Sequence, residues 1–385
     1  MKLSERGAVA PFIVMDVMER ARRAEAAGRH IIHMEVGQPG TPAPRTAREA
    51  LARAMEAGPL GYTVALGLPE LRARIARHYR DRYGVDLNPE RVVITSGASA
   101  GFILAFTALF DAGDRVGMGI PGYPSYRHIL RALSLDAVGI ETAMADGFQP
   151  LPDQIGGDLD GLIVASPGNP AGTMLDRAAL AALVSRCSEA DVALVSDEIY
   201  HGIEYEQRAV SALELSDDVF IINSFSKYFS MTGWRVGWMV VPESHIRQVE
   251  RLAQNLFICP SHASQVAALA AFEGMAELDA NLAVYAANRQ MMLDRLPGAG
   301  FPRFAAPDGA FYVYADVTQF GHDALILSQR ILDEAGVAVT PGLDFDPERG
   351  GGMLRFSYAR STEDVAEGLS RLRAWSEKAG VSASR

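Results

Sequence analysis

With 385 residues the chain exceeds what one hydrophobic core usually holds, so two domains are expected. Hydrophobic residues make up 49% and charged residues 22%, the balance of a soluble globular protein. The net charge of −11 argues against a nucleic-acid binder and against an anionic membrane surface as partner. Residues 1–7 are polar and lack the basic-then-apolar order of a signal peptide, and no apolar run reaches the length of a membrane span. The two cysteines, Cys187 and Cys259, belong to no CxxC pair, so neither a zinc site nor a disulfide framework is implied, and a cytoplasmic protein is expected.

Residues 11–27 read as an amphipathic helix, with Met15, Val17 and Met18 set near Glu19, Arg20, Arg22 and Arg23. The Pro/Gly-rich stretch 36–42 is a loop. From about Thr46 to Phe272 short apolar runs alternate with helical stretches. Strands are expected over 91–95, 115–120, 162–165, 192–196, 219–223 and 236–241, with helices such as 98–110 and 177–188 between them. Short buried strands separated by helices imply an α/β fold, a three-layer arrangement around a mostly parallel sheet. The last hundred residues change character. Helical runs near 282–296, 324–335 and 363–378 are interleaved with apolar runs at 309–315, 337–340 and 353–358. They predict a smaller α+β domain packed with the N-terminal segment. The expected division is 1–45 (N-terminal segment, part of the small domain), 46–285 (large domain) and 286–385 (small domain).

Four expected strands stop at chemically loaded loops, and open parallel sheets bind ligands beyond the carboxyl ends of their strands. The first runs into Ser96-Gly97-Ala98-Ser99 and a helix, where backbone N–H groups and a hydroxyl can meet an anion. Another runs into Ser166-Pro167-Gly168-Asn169-Pro170, either a plain turn or a rigid loop that aims an amide at a ligand. A third ends in Asp197-Glu198-Ile199-Tyr200, where the acid is either a helix cap or the partner of a cationic ring nitrogen. The fourth ends at Lys227, set among Ser224, Ser226 and Ser230 with Arg235 eight residues on. An amine beside a guanidinium and small hydroxyls suits a Schiff-base lysine next to a phosphate. Together these loops point to pyridoxal 5′-phosphate. Asp197 would keep its ring nitrogen protonated, and Tyr200 and Asn169 would bond its 3-oxygen. Lys227 would tether it and move a proton, Ser99, Ser224, Ser226 and Arg235 would hold its phosphate, and Tyr123 would stack on its face.

On these residues the chain resembles the class I/II aminotransferases of the fold-type I pyridoxal-phosphate superfamily, the group that includes aspartate aminotransferase. Residues 224–238 resemble the family's S-x-S-K…G-x-R-x-G signature, 166–172 its S-P-x-N-P-x-G loop, and 197–200 its D-E-x-Y. Gly97-Ala98-Ser99 stands where the family has its phosphate turn, and the likeness runs from about Val36 to Ala359. The resemblance implies transfer of an amino group between an amino acid and a 2-oxo acid by a two-stage ping-pong route. It also implies that Arg355 grips the substrate α-carboxylate and that Gly37 lies against the substrate. Tyr62 would reach the phosphate of a neighbouring subunit, which makes a homodimer necessary. The chain departs from the dicarboxylate-specific members, with no arginine near 254–261 and a serine, Ser99, in place of a lysine in the phosphate turn. With residues 11–15 as an apolar wall, a neutral, apolar or aromatic amino donor is expected.

Two other readings stand beside this one. A carbon–sulfur β-lyase on the same fold would release pyruvate and ammonia from cystathionine without an oxo acid. A non-catalytic pyridoxal-phosphate sensor module would require a basic DNA-binding domain, for which the stretch ahead of Val36 is too short. No metal site is expected, because His33, His128, His201, His245 and His262 fall in no metal-spaced group. Cys187 and Cys259 are expected as small core residues, Arg20, Arg22 and Arg23 as a solvated face, and Asp323 and Asp344 as cap and loop residues. Phe311, Tyr312 and Tyr314 are expected to pack the small domain.

Overall fold

The computed structural model describes residues 1–379. Helix α1 (Ile13–Ala26) and the short strand β1 (Ile32–His33) are followed by α2 (Arg45–Ala57) and α3 (Pro69–Tyr83). Next come β2 (Val92–Thr95), α4 (Ala98–Leu109), β3 (Arg115–Ile120), α5 (Pro124–Ala132), β4 (Asp136–Glu141), β5 (Gly161–Ala165) and α6 (Arg177–Glu189). They are followed by β6 (Ala193–Asp197), β7 (Phe220–Ser224) and β8 (Gly237–Val240). Strands β2 to β8 form one seven-stranded sheet in the order β2-β8-β7-β6-β5-β3-β4. Every strand is parallel to its neighbours except β8, which runs antiparallel to both β2 and β7.

The central strands read as unbroken apolar runs because both faces are covered. All five residues of β7 are buried, as are four of the five in β5 and in β6. Helix α4 has no charged residue and buries seven side chains or backbone positions against this sheet, which fixes its N-terminus at the sheet's edge. The edge strand β4 was not among the expected strands. Three of its six residues are exposed and only Ile140 is buried, and it contains Gly139, so it lacks the continuous apolar signal of its neighbours.

Helices α7 (Ile246–Leu256), α8 (His262–Ala271) and α9 (Met275–Arg295) lead to the C-terminal region. There β9 (Arg303–Phe304), β10 (Tyr312–Asp316), α10 (Ala324–Arg330), β11 (Val337–Ala338), β12 (Thr340–Pro341), β13 (Met353–Ser357) and α11 (Thr362–Lys378) follow. Strands β12, β13, β10 and β9 make a four-stranded antiparallel sheet, and β11 pairs in parallel with β1. The N-terminal segment is thus built into the C-terminal region. The apolar run expected as one strand over 337–340 is split at Val339, and its halves serve different sheets. Asp344 accepts the Ile13 and Val14 amides at 3.0 and 3.1 Å, so this buried loop carboxylate caps α1 from the far end of the chain. The expected boundary between 285 and 286 falls inside the continuous helix α9.

Candidate active site

The carboxyl ends of β2, β5, β6 and β7 share one edge of the large sheet. Because β8 runs the other way, it starts there, and Arg235 just before it lands at the same edge. A cavity of about 230 Å³ opens at this point. It brings together Gly37, Ala98, Ser99, Tyr123, Asn169, Asp197, Tyr200, Ser226, Lys227, Arg235 and Arg355. Gly97, Ser224 and Tyr62 do not line it.

Lys227 Nζ donates to the Gly37 carbonyl oxygen at 2.6 Å. Burial lowers this amine, Arg355 adds to the effect, Asp197 opposes it and Arg235 lowers it further, to about 8. Asp197 is only 4% exposed. One of its oxygens accepts the Ile199 amide at 3.1 Å and the other accepts the Tyr126 hydroxyl. Burial nonetheless raises this carboxyl to about 6, against those hydrogen bonds and the pull of Lys227. Tyr126 escaped the sequence reading. It sits in the first turn of α5, three residues after Tyr123, the extended residue that precedes the helix, and the two ring centroids are 5.4 Å apart.

At the other end of the cavity, Gly97 precedes α4 with φ +77°. A Cβ there would lie 2.3 Å from Arg235 Nη2, so the guanidinium rests against the bare glycine. Arg235 itself has φ +51° and donates from Nη1 to the Thr232 carbonyl at 3.1 Å. A glycine turn, the first amides of a helix and a guanidinium make an anion cradle. Ser99 is exposed in the first turn of α4, and Ser226 faces the cavity. Ser224 does not. Its hydroxyl lies 2.8 Å from Ser226 Oγ and accepts the Ser226 amide at 3.1 Å, bracing the turn from behind.

Arg355, on β13, donates to Asn169 Oδ1 at 2.8 Å and to the Glu35 carbonyl, while its buried Nε has no partner. Its guanidinium lies 4.4 Å from the centre of the Tyr312 ring. The Tyr312 hydroxyl is 2.7 Å from that of Tyr200. Of the three aromatics expected to pack the small domain, Phe311 and Tyr314 are core residues, but Tyr312 lines the cavity. Phe12, Val14 and Met15 line it as well. Tyr62 is 84% exposed and stands outside the cavity of its own chain. His33 is held by Glu35 and Glu25, and His201 by Tyr83 and Ser166. Among the described residues no group of three His, Cys, Asp or Glu is placed to hold a metal ion.

The site therefore combines an amine of lowered pKa, a buried carboxylate with no bonded cation among the described residues, and an anion cradle. These match the aldehyde, ring nitrogen and phosphate of pyridoxal 5′-phosphate. The sequence model of the family described as aminotransferase class I and II matches residues 29–372. The chain belongs to the class I and II aminotransferases. It is a pyridoxal-phosphate-dependent aminotransferase with the fold-type I architecture. This aminotransferase is 46% identical over 381 residues to valine–pyruvate aminotransferase of Mycobacterium tuberculosis, covering 97% of this chain and 98% of the relative. It is similar to a crystal structure of an aminotransferase from the same organism, with TM-score 0.96 and 46% identity over 98% of this chain and 100% of that one. It is also similar to aspartate aminotransferase of Thermus thermophilus with maleate, with TM-score 0.90 and 32% identity over 97% of this chain and 99% of that one. No described helix of this aminotransferase is long and apolar enough to cross a membrane.

Proposed function

We propose that this aminotransferase takes a neutral, apolar or aromatic amino acid as donor and a 2-oxo acid as acceptor. One observation carries the reading: the cationic residues lining the cavity are Lys227, Arg235 and Arg355, and the remaining wall includes Phe12, Val14 and Met15. With one cation for the aldehyde, one for the phosphate and one for the α-carboxylate, a side-chain carboxylate has no partner in this chain's cavity. The Mycobacterium tuberculosis relative, named for valine and pyruvate, supports the same class. The Thermus relative is named for aspartate. Twenty amino acids mixed one by one with the loaded enzyme, ranked by the change in cofactor absorbance, separate the two. A strong preference for aspartate or glutamate would refute the apolar reading.

Each side chain then has a task. Pyridoxal 5′-phosphate, when bound, supplies an electron sink for negative charge at the substrate Cα. Lys227 Nζ would hold the cofactor's aldehyde, and its free amine would take the substrate Cα proton. An amine lowered to about 8 keeps a neutral fraction near physiological pH, as a general base requires. Asp197 would keep the ring nitrogen protonated, Tyr200 and Asn169 would bond the 3-oxygen, and Tyr123 would stack on the ring. Ala98, Ser99, Ser226 and Arg235 would hold the phosphate, with Gly97 leaving room for the Arg235 guanidinium and Ser224 bracing Ser226. Arg355 orients the α-carboxylate through two-pronged hydrogen bonds, beside Asn169 and Gly37.

Tyr62 completes the phosphate site of a second copy in a homodimer. The exposed apolar residues Met55, Tyr62, Val64, Leu256 and Ile258 support this, because the His262–Gly61 hydrogen bond joins the two segments that carry them. A sedimentation mass of one chain for the loaded enzyme would rule the dimer out. Residues 1–45 together with 286–385 act as the small domain against 46–285, a division supported by the pairing of β1 with β11; residues 380–385 of that range lie outside the described residues. Both cysteines are free, which accords with a reducing, cytoplasmic setting.

A further inference from the structure

Tyr312 has no role in the assignments above, yet it touches three parts of the site. It is 1% exposed, on β10. Its ring faces the Arg355 guanidinium at 4.4 Å, within the range of a cation–π contact. Register explains the meeting: Arg355 on β13 lies opposite Tyr314, and Tyr312 is the diagonal neighbour two residues away on the same face. Its hydroxyl is 2.7 Å from Tyr200 Oη. The same hydroxyl occupies the space beside Gly37, where a Cβ would fall 1.5 Å from it. Only glycine at position 37 leaves that room, so the hydroxyl's position is set by backbone as well as by packing.

We propose that Tyr312 is a positioning residue with two separable tasks: its ring seats the carboxylate-binding Arg355, and its hydroxyl donates to Tyr200 Oη so that the Tyr200 proton points at the bound cofactor. A phenol has one proton. In a buried pair, only one hydroxyl donates to the other, and the second keeps its proton for another acceptor. Tyr200 and Tyr312 both line the cavity; Tyr200 has the 3-oxygen role assigned to it above, and Tyr312 lies within hydrogen-bond distance of its hydroxyl. Donation from Tyr312 to Tyr200 satisfies both groups and polarises the Tyr200 O–H toward the ligand. This rests on the proposed role of Tyr200.

The test uses the holoenzyme and three variants. In each, the absorbance of the lysine-bound cofactor is titrated against pH, and the Kd of isovalerate, an unreactive branched carboxylate, is measured. Tyr312→Phe keeps the ring and loses the hydroxyl. A weaker Tyr200 donor stabilises the cofactor's anionic oxygen less, so the absorbance midpoint is expected to rise by about half a unit, with the isovalerate Kd unchanged. Tyr312→Leu removes ring and hydroxyl, and is expected to shift the midpoint equally and weaken isovalerate about tenfold. Tyr200→Phe is the control and is expected to raise the midpoint by more than Tyr312→Phe. If Tyr200→Phe moves the midpoint and Tyr312→Phe does not, the orienting task is refuted while the role of Tyr200 stands. If neither moves it, the assignment of Tyr200 falls and takes this proposal with it. If Tyr312→Phe weakens isovalerate as much as Tyr312→Leu, the division between ring and hydroxyl is wrong. A residue that merely filled space would change thermal stability without separating these two readouts.

Discussion

Replacing Asp197 with asparagine should stabilise the cofactor-free enzyme while impairing the loaded one. Burial raises the Asp197 carboxyl from the ordinary 3.8 to about 6 in the protein without ligand. The folded chain therefore binds a proton more tightly than the unfolded chain, and ionisation destabilises the fold. The cost is absent below the unfolded value, grows as pH rises between the two values, and is complete above about 6. At 1.36 kcal/mol per unit this amounts to about 3 kcal/mol at pH 8, and roughly half of that remains at pH 5. Asparagine has no charge to bury. It can also keep the local hydrogen bonds, with its oxygen accepting the Ile199 amide and its NH₂ donating to the Tyr126 oxygen. The expected outcome is an Asp197→Asn protein that, free of cofactor, melts above the wild type at pH 8 by a margin that shrinks toward pH 5. With cofactor present the order should reverse, because a cationic ring nitrogen rewards the carboxylate and not the amide. Melting curves at pH 5 and pH 8, with and without pyridoxal 5′-phosphate, give all four comparisons. A cofactor-free wild type that keeps the same gap to the variant at both pH values would refute the burial argument. Stabilisation of the variant by cofactor to the same extent as the wild type would remove the ring nitrogen from the site.

Three further outcomes follow from the same geometry. Gly97→Ala places a Cβ 2.3 Å from the Arg235 guanidinium on a backbone at φ +77°, so cofactor affinity measured by equilibrium dialysis should fall about tenfold or more; unchanged retention would contradict the cradle. Arg355→Lys keeps the charge but loses the planar fork and its stack on Tyr312, which should cost kcat/KM roughly 100-fold while the cofactor's absorbance stays as in the wild type; a loss under about threefold would argue against a two-pronged grip. In the cofactor-free enzyme the Lys227 amine should react with an acylating reagent with a midpoint of about 8 rather than the ordinary 10.5, followed by peptide mass spectrometry. A midpoint near 10.5 would show that burial and the two arginines do not act on it.

The parts of this site that were legible in advance are those whose chemistry is local in the chain. Asp197, Asn169 and the Ser224–Lys227 turn each follow a strand buried on both faces, and such strands announce themselves as apolar runs ending in polar residues. The residues that supported them were hidden for two different reasons. Tyr126 lies inside a nine-residue helix, and no local pattern marks its hydroxyl as the partner of Asp197, 71 residues further along the chain. Tyr312 could not be found by any spacing. Four of the five residues of β10 are buried, so alternation does not tell the face that packs the small domain from the face that looks into the cavity. What separates Tyr312 from Phe311 and Tyr314 is its diagonal position relative to Arg355 across the β10–β13 pair and the glycine that yields space to its hydroxyl, residues 43 and 275 positions away in the chain. The capping of α1 by Asp344 has the same character, since the carboxylate lies 330 residues from the Val14 amide that it accepts. A strand's polar ending is written beside it, whereas the groups that aim and brace it are supplied by whatever the fold brings against it. Second partners such as Tyr126, Tyr312 and Asp344 are therefore where the folded chain adds most to the chemistry that its motifs announce.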